Sequence, residues 1–187
     1  MSAPPDPFET LGLPARFDLD QAAIEQAYLS RTTAAFGPGG GAGGTRSAGG
    51  VGVGEPDPAI AARLNQARAT LRDPEQRANA LLARLGGPAK ETDRSLPAGF
   101  LQEMMDVRER LEAQRHDPQA IDRWEVWGER RRREHIAGVR ELFARLEPGG
   151  GGPADPAVLA LIRQRLNAWR YIERMLEQVR SDEGASG

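Results

Sequence analysis

Few residues of this chain are of types that do chemistry, and none stands at a spacing that would let it. Cysteine is absent, which removes thiol nucleophiles, disulfides and every cysteine-held metal or cluster site. The two histidines, His116 and His135, have no nucleophile or carboxylate-rich pattern beside them. Surface or helix-end positions are expected for both, and no metal site. Asp and Glu together number 27, but no pair is held in a readable pattern of the kind acid–base catalysis needs. Residues 37–56 hold ten of the 22 glycines. They lack the Gly-x-x-x-x-Gly-Lys-Ser/Thr pattern and follow a helical segment rather than a strand, so they do not read as a phosphate cradle. With little apolar beyond Val51 and Val53, they cannot offset their ordering entropy and read as a flexible loop. Arg130 to Arg133, with Arg123, Arg140, Trp124 and Trp127 nearby, have the residue types of a nucleic-acid surface. Four successive helical residues span nearly a full turn, however, and form no single stripe. Glu125, Glu129, Glu134 and Glu141 stand at pairing distance, so a solvated helix surface is expected. The chain reads as no enzyme, with no cofactor and no nucleic-acid partner.

The bulk properties agree. A net charge of −2 over 187 residues exerts no global pull toward nucleic acid or acidic membranes. No apolar run approaches the roughly 20 residues of a membrane span. Residues 1–7 lack the charged and apolar regions of a signal peptide, and a cytoplasmic location without a membrane partner is expected.

The elements are all helical, with no strand pattern anywhere. Residues 5–13 form a short helix ending at Gly12, with Phe8 and Leu11 on one side. A long helix begins with Asp18 as cap and Gln21 in the capping-box position; its inner stripe is Ile24, Ala27, Tyr28, Arg31 and Ala35, and Gly37-Pro38 ends it. The next helix, 57–72, carries Ile60, Leu64, Ala67 and Leu71 on one face. Pro74 ends it, and Asp73-Pro74-Glu75-Gln76 at once caps a successor over 74–85. Helix, one-residue break and helix make a rigid elbow. In that successor Ala78, Leu81, Leu82 and Leu85 share a face, with Gly86 as C-cap. Residues 87–96 are polar and read as a linker between two domains. Three amphipathic helices follow. Residues 97–115 carry Phe100, Met104, Val107 and Leu111; residues 119–146 carry Ile121, Trp124, Val139, Leu142, Phe143 and Leu146. Residues 156–180 carry Leu159, Ile162, Leu166, Trp169, Ile172, Leu176 and Val179. They pack most simply as an antiparallel three-helix bundle over 97–181, leaving 182–187 as a disordered tail.

The order short helix, long helix, loop, long helix and elbow resembles a J-domain, and the specific likeness is to the HscB family of J-domain co-chaperones for iron–sulfur cluster assembly. Phe8-Glu9-Thr10-Leu11-Gly12-Leu13-Pro14 with Phe17 is similar to that family's opening. Leu64-Asn65-Gln66-Ala67, Thr70-Leu71-Arg72-Asp73-Pro74, Arg77-Ala78 and Leu81-Leu82 resemble its third helix and elbow. Phe100-Leu101, Met105, Arg108-Glu109 and Leu111, then Trp169-Arg170-Tyr171-Ile172-Glu173, resemble its C-terminal domain. The likeness covers about two thirds of the chain (residues 6–36, 57–86, 98–114 and the last helix). It implies a J-domain-like domain over 1–86 and a C-terminal three-helix domain.

The resemblance also implies partners and sites. The family's bundle binds an iron–sulfur scaffold protein of the IscU type, and the matching positions are Leu101, Met105, Asp106, Glu109 and Tyr171. At about 100° per residue, Leu101, Met105 and Glu109 form a second row beside the stripe of Phe100, Met104, Val107 and Leu111. Asp106 lies further round, and Tyr171 lies about 140° from its own helix's stripe, with Met175 a turn on. Gln102 and Ala113 stand where the family carries an apolar and an acidic residue. The family's J-domain engages a DnaK/HscA-type ATPase through a His-Pro-Asp tripeptide after the second helix. Counted without gaps from Tyr28, that position is Phe36-Gly37-Pro38; one residue of slip gives Gly37-Pro38-Gly39. Neither holds the aspartate that makes the charge-assisted contact. Residues 18–36, basic in the family, carry Asp18, Asp20 and Glu25 against Arg31. Stimulation of the ATPase is therefore expected to be weak or lost. The alternative is a stand-alone helical adaptor that has left iron–sulfur work.

Overall fold

The computed structural model describes residues 5–37, 57–114, 117–146 and 154–184, the side chains of 118, 121 and 178–184 excepted. Of the residues placed in the sequence-derived stripes, the side chains of Ile121 and Val179 therefore fall outside it, as do Pro38, His116 and most of the glycine-rich stretch. Every regular element among the described residues is an α-helix. Backbone contacts divide the chain into two compact units, Met1–Arg84 and Leu85–Gly187. No described helix is long and apolar enough to cross a membrane.

The first unit holds α1 (Pro7–Leu11), α2 (Gln21–Phe36), α3 (Pro58–Arg72) and α4 (Pro74–Arg84). In α1 the Asp6 carboxylate accepts the Phe8 and Glu9 amides at 2.8 and 3.3 Å, and Gly12 closes the helix in the left-handed region at φ 71°. Helix α2 is capped by Asp20, whose carboxylate accepts the Ala22 amide at 3.2 Å, and not by Asp18. The physical reason lies in the core: Phe17 and Leu19 are both buried, so the chain stays out of helix until Leu19 has been inserted. Ile24 is the fully buried member of the α2 stripe, while Arg31 and Ala35 are exposed. Helices α2 and α3 run antiparallel, since Gln21 donates to the Arg72 carbonyl at 3.0 Å and Tyr28 to Asn65 Oδ1 at 2.7 Å. At the elbow Asp73 accepts the Gln76 amide at 2.7 Å. Arg77, buried, donates to the Leu71 carbonyl and lies over the Phe17 ring at 5.3 Å. That places a cation at the C-terminal end of α3, where unsatisfied carbonyls and the helix dipole favour it.

The second unit holds α5 (Phe100–Ala113), α6 (Pro118–Leu146) and α7 (Pro156–Gly184). Gly128 lies against Leu176, and Arg132 reaches Glu173 at 3.5 Å. A Cβ on Gly138 would sit 3.8 Å from the Arg165 guanidinium. Rising numbers on α6 thus meet falling numbers on α7, an antiparallel pair. Gln114, the C-cap of α5, accepts from Trp124 Nε1 at 3.2 Å, while Glu103 pairs with Arg131, so α5 and α6 are antiparallel too. Phe100, Met104, Val107 and Leu111 of α5 form a core with Ala168 and Ile172 of α7, against which Trp124 and Trp127 of α6 pack. The stretch read as a linker is fastened to this unit. Arg163, buried, donates to the Pro88 carbonyl at 2.9 Å. Asn167 donates to the carbonyls of Asp93 and Ser95, both at 3.0 Å.

Candidate protein-docking site

On α5 the four-residue stripe turns its back to solvent and leaves apolar surface to spare. Leu101 is 54% and Met105 57% exposed, while Phe100 and Met104, their immediate neighbours, are buried. Methionine and leucine side chains of this exposure leave most of their transfer free energy unrealised, on the order of 1 kcal/mol each. They stand one turn apart on the same row, followed after another turn by Glu109, which is exposed. Met105, Arg108, Glu109, Glu112 and Ala113 line an open hollow of about 820 Å³. Tyr171 of α7 stands at the edge of the same surface. It is 38% exposed and meets Phe100 edge-on, with ring centroids 5.6 Å apart and planes at 85°. Asp106 is turned further toward solvent and accepts from Gln102 Nε2 at 3.4 Å. The structure thus groups Leu101, Met105 and Glu109 in one row, brings Tyr171 to its start and leaves Asp106 at its border.

The residues matching the chaperone-contact loop lie in the first unit. Phe36, half-buried, is the last residue of α2, and the Gly37 amide donates to the Thr33 carbonyl at 2.8 Å with φ at 79°. Pro38 lies outside the described residues. Glu25, on α2, pairs with Arg68 at 2.8 Å and Arg72 at 3.2 Å of α3. The hydrogen bond from Arg68 is the main reason its carboxyl is held below the usual range. Arg31, the one basic residue of α2, lies with its guanidinium where a Cβ on Gly12 would be and donates to the Leu11 carbonyl at 3.4 Å. Arg68 lies over the Tyr28 ring at 4.9 Å. Arg31, Arg68 and Arg72 are therefore engaged within the unit.

Other groups of chemical interest are structural. Among the described residues no cluster of three or more His, Cys, Asp or Glu could hold a metal ion. The arginine run on α6 is laced to carboxylates: Arg131 to Glu134 at 3.0 Å and to Glu103, Arg132 to Glu173, and Arg130 to Glu134 at 4.0 Å. His135 is not at the surface or at a helix end. It is buried in mid-α6 at 7% exposure, and its Nδ1 has no hydrogen-bond partner among the described residues. The reason is its place in line with Val139 and Leu142, four and seven residues on, both buried. Burial, then the charges of Arg165 and Arg131, push its pKa down to about 4 against a smaller opposing pull from Glu134. Sequence reasoning also passed over Glu103 and Arg163, and read Arg131 only as part of a solvated run, because their partners lie on other elements and no local pattern announces them.

Comparison with known proteins places the chain in a group. The family model described as the HSCB C-terminal oligomerisation domain matches residues 96–180. The co-chaperone protein HscB homolog of Burkholderia vietnamiensis is 31% identical over 179 residues, covering 92% of this chain and 90% of that protein. The homolog of Bordetella parapertussis is 35% identical over 117 residues, covering 62% of this chain and 65% of its own length. Two solved structures share the fold. Chaperone HscB from Vibrio cholerae superposes with a TM-score of 0.67 at 22% identity, over 98% of this chain and all of that one. Human co-chaperone protein HscB gives 0.71 at 19% identity, over 98% and 84% respectively.

Proposed function

This chain belongs to the HscB family of co-chaperones, and from that premise we propose that it captures an iron–sulfur scaffold protein of the IscU type on the face formed by Leu101, Met105 and Tyr171. The observation that carries the reading is the apolar pair on α5, more than half exposed on a helix that has already filled its core. An apolar centre, an aromatic at its edge and acidic groups at its border make the pattern of a protein-docking surface. Asp106 and Glu109 supply the acidic border and steer a partner with a basic rim. In the cytoplasm the complex serves iron–sulfur cluster assembly alongside a DnaK/HscA-type ATPase.

Stimulation of that ATPase is weak or lost. Phe36, Gly37 and Pro38 offer no carboxylate, and the arginines near α2 are turned to Glu25 and Leu11. A basic group on the chaperone therefore meets no carboxylate acceptor, and an acidic surface on it meets no basic face. The test is capture of the purified scaffold by the full chain and by Leu101→Ser/Met105→Ser/Tyr171→Ser. The triple change should weaken binding at least about tenfold, the scale on which apolar and aromatic anchors dominate an interface. Capture that is indifferent to it means the face is wrong, and no capture by the parent chain favours the stand-alone adaptor. Steady-state ATPase turnover of the cognate chaperone should rise little on adding the protein; full stimulation refutes the reading of the loop.

A further inference from the structure

The first two turns of α5 contain an ambiguity that burial alone does not resolve. Phe100-Leu101 and Met104-Met105 are adjacent apolar pairs. A roll of about 100° about the helix axis would exchange the members of each pair while keeping apolar side chains at both core positions. Apolar burial is non-directional and nearly equal for the two members, identically so for the methionines. Further along, Val107 and Leu111 are followed by Arg108 and Glu112, so the roll is decided there by the cost of burying charge. At the start it is not. There α5 begins at Gly99 without any side-chain cap bond, so backbone bonds and side-chain contacts alone hold the first turns in register with the rest of the helix.

We propose that the ion pair between Glu103 and Arg131 resolves this ambiguity, making both positioning residues for the docking face. The inference takes its functional consequence from the reading of Leu101, Met105 and Tyr171 as that face. Glu103 stands about 160° around α5 from both Leu101 and Met105, so it can reach α6 only when those two residues point away from α6. Arg131 is oriented in advance on α6: it pairs with Glu134 at 3.0 Å, and its guanidinium lies over the Trp127 ring at 5.8 Å. Trp127 is in turn braced edge-on by Trp124 at 5.7 Å. A planar guanidinium held in this way donates to a carboxylate only within a narrow range of directions. The contact is directional where the apolar contacts are not, and it acts on the side of α5 opposite the partner.

The absence of cysteine makes the roll measurable without any partner. Single thiols are introduced by Met104→Cys or Met105→Cys, and their rates of modification by a soluble alkylating reagent are compared. In the parent chain position 105 reacts far faster than position 104, as their exposures of 57% and 1% require. Glu103→Gln or Arg131→Met should lower that rate ratio about threefold, the scale of a partly exposed ion pair. Arg131→Lys, which keeps the charge without the planar fork, should restore only part of it, and scaffold capture should follow the ratio. An unchanged ratio in both backgrounds overturns the proposal whatever capture does. So does a fall that only tracks loss of melting temperature across the variants. A ratio that falls and recovers as expected in a chain that captures no scaffold leaves the positioning role standing and refutes the docking reading alone.

Discussion

Lowering the pH from 7 to 5 should cost the second unit about 2 kcal/mol through a single side chain, His135. In the folded protein burial, with Arg165 and Arg131 nearby, pushes its pKa from 6.5 down to about 4. In the unfolded chain it returns to about 6.5. The folded pKa is the lower one, so the folded state holds the neutral imidazole. Its stability is fully present above about pH 6.5, falls as the unfolded chain takes up a proton, and levels off below about pH 4, where both states are protonated. The whole displacement amounts to about 3 kcal/mol, of which roughly 2 kcal/mol is lost by pH 5. Trp124, Trp127 and Trp169 all lie in the second unit, so guanidinium unfolding followed by tryptophan fluorescence reads this unit and not the other. Asp6 and Glu25, whose carboxyls are held low, belong to the first unit. Asp93, held low by Ser95, gives up its contribution only below its ordinary value of 3.8. His135→Gln removes the titration and leaves His116 common to both proteins. Between pH 7 and 5 the parent should lose about 2 kcal/mol more than the variant. Equal losses, or an imidazole resonance of His135 that titrates near 6.5, refute the reasoning.

Two further outcomes concern the first unit, which holds no tryptophan and is followed by amide hydrogen exchange. Leu71→Ala, at a fully buried position facing the elbow, should lower protection throughout α1–α4 by about 2–5 kcal/mol, the cost of an unfilled core site. Asp73→Ala removes the acceptor of the Gln76 amide and should cost about 1 kcal/mol, felt first in the opening turn of α4. Protection lost evenly over the unit, with nothing local to α4, contradicts the capping role.

The helices and their inner faces were legible because periodicity is a local property. Phe100, Met104, Val107 and Leu111 are all buried, as their spacing requires, and the elbow forms where Asp73 and Pro74 meet. Local signals compete where two residues could serve, and there they mislead. Asp18 and Asp20 are equally good caps by type, and the insertion of Leu19 into the core decided between them. His135 looked unremarkable because a lone imidazole carries no pattern, and its burial follows from which side of α6 meets α7. The docking row was visible as apolar surplus beside a filled stripe. That the surplus stays exposed depends on where α6 and α7 lie.

The sequence by itself determined an all-helical chain, the stripe each helix buries, the elbow and the membership of the family whose motifs it carries. These follow from backbone sterics and apolar spacing, which act within about ten residues. Tertiary structure alone decided which of two equally suitable residues was used and which directional contacts formed, because those choices depend on groups distant along the chain. Arg77 reaches the Leu71 carbonyl, Arg163 the Pro88 carbonyl, and Glu103 the guanidinium of Arg131. Such contacts are directional and have no period. Likewise Asp20 caps α2 and Asp18 does not, although the sequence offers both alike.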